Sequence, residues 1–399
     1  MVEDPETLRW VAERFKESPV IGVDTESDSF YSYQEKVCLI QFSDAHTDYI
    51  VDPLAVPDLS PLAPMFADPN IVKVFHGADY DVVCLKRDFG FEIRNLFDTM
   101  IAAQLLAAPR LGLADLIGGA FGHKIDKQYQ RYDWASRPLL PEHLDYARGD
   151  THWLLAIREL LIRRLKKTGR LAHLEEECAI LEQREWTQPG FDEDGYLRIK
   201  TASKLDDTGK RILKRLHIMR DGHARRMDRP SFKVLSDSIL VDVARLRPTS
   251  LDALDDLFDR KQAMKKRFGH EMVDAVVKGL EDDFPIPKSQ RVERSGPEPR
   301  VPGRVSDRVF EALKTWRNEL CAKRTDLLPI GVAANGTLKQ IAQACPRTLD
   351  ELRELPEVRT WQAEWFGEPI LKVVAANAKV EDAEEEEEAP RRRRPRRRS

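Results

Sequence analysis

The spacing of apolar and polar positions divides the first 165 residues into short buried runs and amphipathic stretches. Asp4-Pro5 has the form of a helix N-cap with proline at the first helical position, and Leu8, Val11, Ala12 and Phe15 then share one helical face. The run Pro19-Val20-Ile21-Gly22-Val23-Asp24-Thr25-Glu26 is apolar until it ends in acids, the pattern of a buried strand. Residues 36–43 and 48–53 read as two more strands joined by a turn at Asp44-Ala45-His46. Three strands so close in sequence predict antiparallel neighbours. Residues 58–67 predict a short helix and 71–75 a fourth, central strand. Gly77 permits the turn into a helix that carries Asp81 near its start. Helices follow over 98–107 and 113–121. Residues 143–155 read as one continuous helix, with 154–167 either extending it or beginning another. The order predicts a mixed α/β sheet with helices on its faces.

Beyond residue 155 the chain reads as helical. Residues 171–184 form an amphipathic stretch with an acidic outer face, a connector, and 189–195 a loop that suits a domain edge, so residues 1–195 form the first domain. Residues 205–283 predict a bundle of short helices. Residues 284–304 are rich in proline and charge, which predicts a solvated linker. Residues 305–375 repeat the helical theme. The tail, 380–399, carries five consecutive glutamates at 384–388 and arginines at 391–394 and 396–398 around Pro395. Neither block can bury apolar surface, so the tail is expected to be disordered. Its arginines could hold a polyanion such as RNA, and its glutamates could fold back to mask them.

Composition narrows the function classes. The 399 residues are 42% apolar and 33% charged, with a formal net charge of −4. Such a balance does not mark a nucleic-acid binder by bulk charge, so any basic surface must be local. The five cysteines (38, 84, 178, 321 and 345) are scattered without metal-ligand spacing, which predicts reduced thiols and a cytoplasmic protein. The acidic amino terminus lacks an apolar signal core. No apolar run approaches 18 residues, so no membrane partner is expected.

Three acidic sites carry candidate chemistry. Asp24 and Glu26, two apart on a strand, share a face, and paired carboxylates repel unless a cation lies between them. Hard divalent ions with oxygen ligands suit such a site. Asp81 lies near a helix start, where the dipole favours an acid in any case. Tyr146 and Asp150, four apart on a helix, project from one face. There a carboxylate can hold an ion while a phenol orients a water. Each pattern alone also fits an ordinary solvated surface.

Taken together and in order, Asp24-x-Glu26, His76-Gly77-x-x-x-Asp81 and Tyr146-x-x-x-Asp150 resemble the three motifs of the DEDDy 3′→5′ exonucleases, enzymes with an RNase H-like fold. The segment 130–139, Gln-Arg-Tyr-Asp-Trp-Ala-Ser-Arg-Pro-Leu, is similar to one in the ribonuclease D family and its exosome-associated relatives. The stretch around Asp228-x-Pro230-x-Phe232-x-Val234-Leu235-x-Asp237, with a helix expected to begin near Val234, resembles an HRDC domain. Residues 305–375 resemble a second copy that lacks the Asp-x-Pro turn.

The resemblance implies a metal-dependent 3′→5′ exoribonuclease. Two Mg²⁺ or Mn²⁺ ions, roughly 4 Å apart, would activate the attacking water and relieve charge on the leaving 3′-oxygen. Asp24 would bridge the ions, Glu26 and Asp150 would complete the ligand set, Asp81 would act through the surrounding waters, and Tyr146 would orient the nucleophile. RNA 3′ ends, tRNA precursors among them, are the implied partners of a monomer with no obligate protein partner. Lys127, Trp134 and Arg137 are candidate substrate contacts. Trp134 also fits a core anchor and Arg137 a pair with an acid, while a hydrogen-bonded structural role is the safer reading of His76. Arg215, Arg220, Arg225, Arg226, Arg229 and Lys233 offer a candidate phosphate-binding face on the first helical module. Two other readings stay open: a DNA exonuclease acting at DNA ends, because nothing in the motifs reads a 2′-hydroxyl, and a non-catalytic RNA-binding scaffold whose acids hold a structural ion.

Overall fold

A computed structural model describes residues 1–187, 190–258, 262–287 and 303–378. The acidic and arginine blocks of the tail and most of the proline-rich linker lie outside the described residues. The chain divides into two units, Met1–Glu293 and Arg294–Ser399.

The first unit is built on a five-stranded sheet in the order β3-β2-β1-β4-β5. Its strands are β1 (Val20–Ser27), β2 (Val37–Ser43), β3 (Asp48–Val51), β4 (Val72–Phe75) and β5 (Leu96–Asp98). The expected antiparallel meander is present, with Asp24 opposite Gln41 and Gln41 opposite Ile50. β4 then joins β1 in parallel and β5 joins β4 in parallel, giving the mixed sheet. The fifth strand escaped the sequence reading because only three residues form it. Its last residue, Asp98, was read only as a helix start, and it is that too: its carboxylate accepts from Met100 N and Ile101 N.

Helices α1 (Pro5–Lys16), α2 (Ala63–Ala67), α3 (Asp79–Phe89), α4 (Thr99–Leu105) and α5 (Leu113–Phe121) precede the helix of the third motif. Phe15, Phe42, Phe66 and Phe91 form a chain of ring contacts that closes one face of the sheet under α1 and α2. Because side chains alternate along a strand, Gln41, Asp24 and Glu26 point to the other face.

That face is covered by α6 (Pro141–His152), and α7 (Leu154–Thr168) follows. Residues 143–155 are therefore not one helix. Trp153 breaks the run at φ −96°, ψ −5°. The reason is packing: α6 lies on β1, β2 and β3, whereas α7 must redirect to lie on β1, β4 and α4. Gly22 makes the bend fit, since a Cβ there would meet Thr151 O at 3.2 Å and Leu154 Cβ at 3.3 Å. Helix α8 (Leu171–Glu182), expected as a connector, packs on β5 and α4 instead. The Glu182 carboxylate accepts from Leu96 N at 2.8 Å and so covers an exposed edge of the short β5.

The remainder of the first unit is a helical module of α9 (Asp207–Arg226), α10 (Ser231–Val234), α11 (Asp237–Leu246), α12 (Asp255–Phe258) and α13 (Gln262–Glu281). The helix expected to begin near Val234 instead ends there, and the next starts at Asp237. Tyr196, Leu216, Leu240, Phe258 and Met272 are among its core residues.

The second unit comprises α14 (Gly303–Lys323), α15 (Pro329–Val332), α16 (Asn335–Ala344), α17 (Leu349–Arg353) and α18 (Thr360–Asn377). The two modules share a buried signature. Arg220 on α9 donates to Leu235 O just past the one-turn helix α10, and Arg317 on α14 donates to Ala333 O just past the one-turn helix α15. The internal repeat read from sequence is thus present down to a single guanidinium.

Candidate active site

Asp24 and Glu26 stand on β1 and Asp150 on α6, and a carboxylate oxygen of each lies within 4.8 Å of the others. The strand supplies two acids on one face through its period of two. The helix supplies the third because Ala147 and Thr151 are buried against the sheet, which turns Asp150 toward β1. Asp81, on the first turn of α3, stands off from this trio. Its Oδ1 accepts from Thr25 Oγ1 at 2.5 Å. The start of α3 is fixed by Asp98, whose carboxylate accepts from Gly77 N and Ala78 N at 3.1 and 2.7 Å. Gly77 has φ +75°, so the turn that aims Asp81 needs glycine. His76 braces the same turn, with Nδ1 2.9 Å from Thr99 Oγ1. Burial holds its pKa below the usual value, which keeps it neutral and in a structural role.

Burial and mutual repulsion shape the electrostatics. Burial, followed by the charges of Asp81, Asp150 and Glu26, raises Asp24 well above the ordinary carboxylate range. Glu26 is raised likewise, by burial and then by Asp150 and Asp81. Asp150 is pushed up to about 7 by burial and the Asp81 charge, and Asp81 to about 6 chiefly by burial. Four acids in this condition form an acidic hollow that no side-chain cation among the described residues offsets. All of its donors are oxygen, which fits a hard divalent ion and no softer metal.

Gln41 adds a second observation. It is fully buried, opposite Asp24 in the sheet, and neither its amide nitrogen nor its amide oxygen has a partner among the described residues. Buried amides in proteins are normally bonded, so Gln41 brings hydrogen-bonding capacity that the described side chains leave unmet beside Asp24. The sequence reading passed over Gln41. The signal was a lone amide in the otherwise apolar run of β2, in register with the first motif.

Tyr146 sits one turn before Asp150 on α6, its ring 5.8 Å from Tyr129 and 5.9 Å from Trp134. Burial first, then the carboxylates of Asp150, Glu26 and Asp24, push its phenol above the usual value, so it stays protonated. The segment before the third motif therefore backs the phenol with aromatic rings.

The substrate contacts expected elsewhere divide sharply. Trp134 is 1% exposed and packs with Cys38, Leu39, Ile50 and Ala147, so it is a core anchor and cannot stack on a base. Arg137 spends all five N–H groups internally. It forks onto Asp52 at 2.7 and 2.8 Å and donates to the carbonyls of Trp134, Ser136 and Cys38, which makes it a structural pair. Lys127 remains exposed.

On the helical module three arginines of the expected basic face are paired with acids, two of them remote in sequence and one a turn away on the same helix. Arg220 is buried and bonded to Leu235 O and Asp237, so it is not a phosphate contact. Arg215 forks onto Asp282, and Arg225 pairs with Asp221 at 3.3 Å. Arg226 is exposed, 3.1 Å from His223 Nδ1.

Comparisons with known proteins agree with this architecture. A 3′-5′ exonuclease family model matches residues 1–166, and the HRDC domain model matches 209–276 and again 306–374. The ribonuclease D of Sphingobium indicum is 30% identical over 315 residues, which cover 78% of this chain and 79% of that protein. The chain belongs to the ribonuclease D family. Its fold matches the crystal structure of Escherichia coli RNase D with a TM-score of 0.67 at 25% identity, covering 95% of this chain and 99% of that one. The exosome complex component 10 homolog of Caenorhabditis elegans is 35% identical over 258 residues, 64% of this chain. The match spans only 30% of that longer protein. Exonucleases of this family depend on divalent metal. Among the described residues no helix is long and apolar enough to cross a membrane.

Proposed function

We propose that Asp24, Glu26 and Asp150, with Asp81 acting through intervening water, hold two divalent ions, Mg²⁺ or Mn²⁺, and that Tyr146 orients the water that attacks the terminal phosphodiester of an RNA chain. Family membership makes the protein a 3′–5′ exoribonuclease. The observation that carries the residue assignment is the convergence of three carboxylates from β1 and α6 within 4.8 Å, with a protonated phenol one turn away.

When bound, such ions lower the pKa of an attacking water and stabilise charge on the leaving 3′-oxygen. The chain's own residues do the rest. Tyr129 and Trp134 fix the Tyr146 ring, so its hydroxyl can hold one lone pair or proton of the water in line with the phosphorus. Thr25 and the Asp98-capped turn hold Asp81 at the rim of the hollow. Gln41 offers its free amide beside Asp24 to order a further water. The E. coli relative is described as an exoribonuclease involved in structured RNA processing. That supports 3′ tails of structured RNAs, tRNA precursors included, as the natural substrates here.

The test follows 5′-labelled RNA and DNA strands of one sequence, with Mg²⁺, with Mn²⁺ and with EDTA. A metal-dependent ladder shortening from the RNA 3′ end is expected, lost in Asp24→Ala. Tyr146→Phe should bind RNA normally and cleave about 100-fold more slowly, the scale of a lost proton-handling group. No ladder from the wild-type protein would overturn the proposal, and faster shortening of DNA would move the function to DNA ends.

A further inference from the structure

The segment between β1 and β2, residues 28–36, begins two residues after Glu26 and has no role in the chemistry above. It is braced from two sides. At its base the fully buried Asp28 carboxylate accepts from Ser32 Oγ, Lys36 N and Lys36 Nζ. At its far end Asp228, in the turn between α9 and α10, accepts from Tyr33 N and Gln34 N, and Asp221 accepts from Tyr33 Oη at 2.7 Å. The loop is thus a fixed bridge between the metal-ligand strand and the first helical module.

What the bridge presents is aromatic rings alternating with cations. Phe30 is 44% exposed and lies under the Arg131 guanidinium at 5.8 Å. Tyr31 donates through its hydroxyl to Arg131 O at 2.8 Å and carries the Lys233 ammonium 3.4 Å above its ring. Arg131 and Lys233 are both exposed, and neither forms an ion pair with a carboxylate among the described residues. They contrast with Arg215, Arg220 and Arg225 of α9, which acids neutralise. At both ends the row adjoins, along the chain, segments that build the active site. On one side Ser27 Oγ, at the end of β1, lies 3.1 Å from the hydroxyl of Tyr80, which precedes Asp81. On the other, Arg131 stands in sequence two residues after Tyr129 and three before Trp134, whose rings both contact that of Tyr146.

Rings interleaved with unpaired cations, on a braced backbone leading out of a phosphodiester-cleaving site, suit one ligand: unpaired nucleotides. Bases stack on exposed rings without regard to sequence, and cations follow the phosphates. Resting on the exoribonuclease reading above, we propose that Phe30, Tyr31, Arg131 and Lys233 form a shelf that binds the single-stranded nucleotides lying 5′ of the two that flank the scissile bond. The first helical module contributes through Lys233 and through the Asp228 brace rather than through the basic face of α9. The shelf contacts no nucleotide of a dinucleotide substrate that fills only the catalytic hollow.

The full-length protein and its Phe30→Ala, Lys233→Gln and doubly substituted variants would be compared on two Mg²⁺-supported substrates, a 5′-labelled 20-nucleotide single-stranded RNA and the dinucleotide pApA. Loss of one stacking ring should raise KM for the long RNA about 5- to 50-fold with kcat little changed. Hydrolysis of pApA should be unaffected, and Phe30→Tyr should restore the wild-type KM. Lys233→Gln should lower the slope of log affinity against log salt by about 0.7. Unchanged kinetics on the long RNA, or equal losses on both substrates, would overturn the shelf. Absence of RNA cleavage by the wild-type protein would instead overturn the exoribonuclease reading, so the two failures are distinguishable.

Discussion

Asp150→Asn should stabilise the metal-free protein, and the gain should depend on pH. The Asp150 carboxyl is shifted from 3.8 to about 7, with burial the larger cause and the Asp81 charge the second. A group raised in this way favours the folded state only while it is protonated. Its contribution is therefore intact below pH 3.8 and is lost progressively as pH rises toward 7. At ~1.4 kcal/mol per pH unit, the raised pKa costs the folded state about 4 kcal/mol at pH 8 and less than half of that at pH 5, where the folded carboxyl is already protonated. The Asn side chain keeps the shape and removes the charge. In EDTA the variant should therefore gain about 4 kcal/mol at pH 8, or roughly 10 °C in the unfolding of the first unit, and less than half of that at pH 5. Thermal and urea unfolding at the two pH values measure this directly. Added Mg²⁺ should stabilise the wild-type protein more than the variant, because the wild type has the charge that binding would neutralise. A variant no more stable than wild type at pH 8, or a gain equal at both pH values, would refute the electrostatic account of the cluster.

Three further outcomes are expected. Gly22→Ala would place a Cβ 3.2 Å from Thr151 O and 3.3 Å from Leu154 Cβ. It should push the α6–α7 junction off β1 and cut exonuclease activity severalfold or more while costing only about 1–3 kcal/mol of stability, read by comparing kcat with urea unfolding. Trp134→Ala should cost about 3–5 kcal/mol by emptying a core site and loosen the support of Tyr146, whereas Trp134→Phe should be milder on both counts. Arg137→Ala should cost about 3–5 kcal/mol by stranding the buried Asp52 carboxylate, and adding Asp52→Ala should recover part of that loss in a double-mutant cycle.

Much of the molecule was fixed by local pattern. Alternation around Asp24 and Glu26 set both on one face of a strand, and the four-residue spacing of Tyr146 and Asp150 set both on one face of a helix. Gly77 announced the turn that aims Asp81, and the recurring helical theme announced the second module. These features need only the periods of strand and helix and the conformational freedom of glycine. Tertiary structure decided the rest, because it depends on which distant segments meet. The three-residue β5 exists because β4 offers it an edge. The helix through residue 153 breaks because its two halves pack on different strands. Trp134 and Arg137 became structural when Asp52 and the α6 core closed around them. Arg220 and Arg215 of α9 lost their phosphate-binding promise to Asp237 and Asp282, which sequence spacing could not place beside them, and Arg225 lost its own to Asp221, one turn away on the same helix. Lys233, Arg131 and the rings of residues 30 and 31, about a hundred residues apart along the chain, became neighbours only on folding, Lys233 beside the Asp228 brace and Arg131 through its own contacts with Phe30 and Tyr31. Charge along a chain can be counted from sequence, but whether a charge is free is settled only by what folds against it.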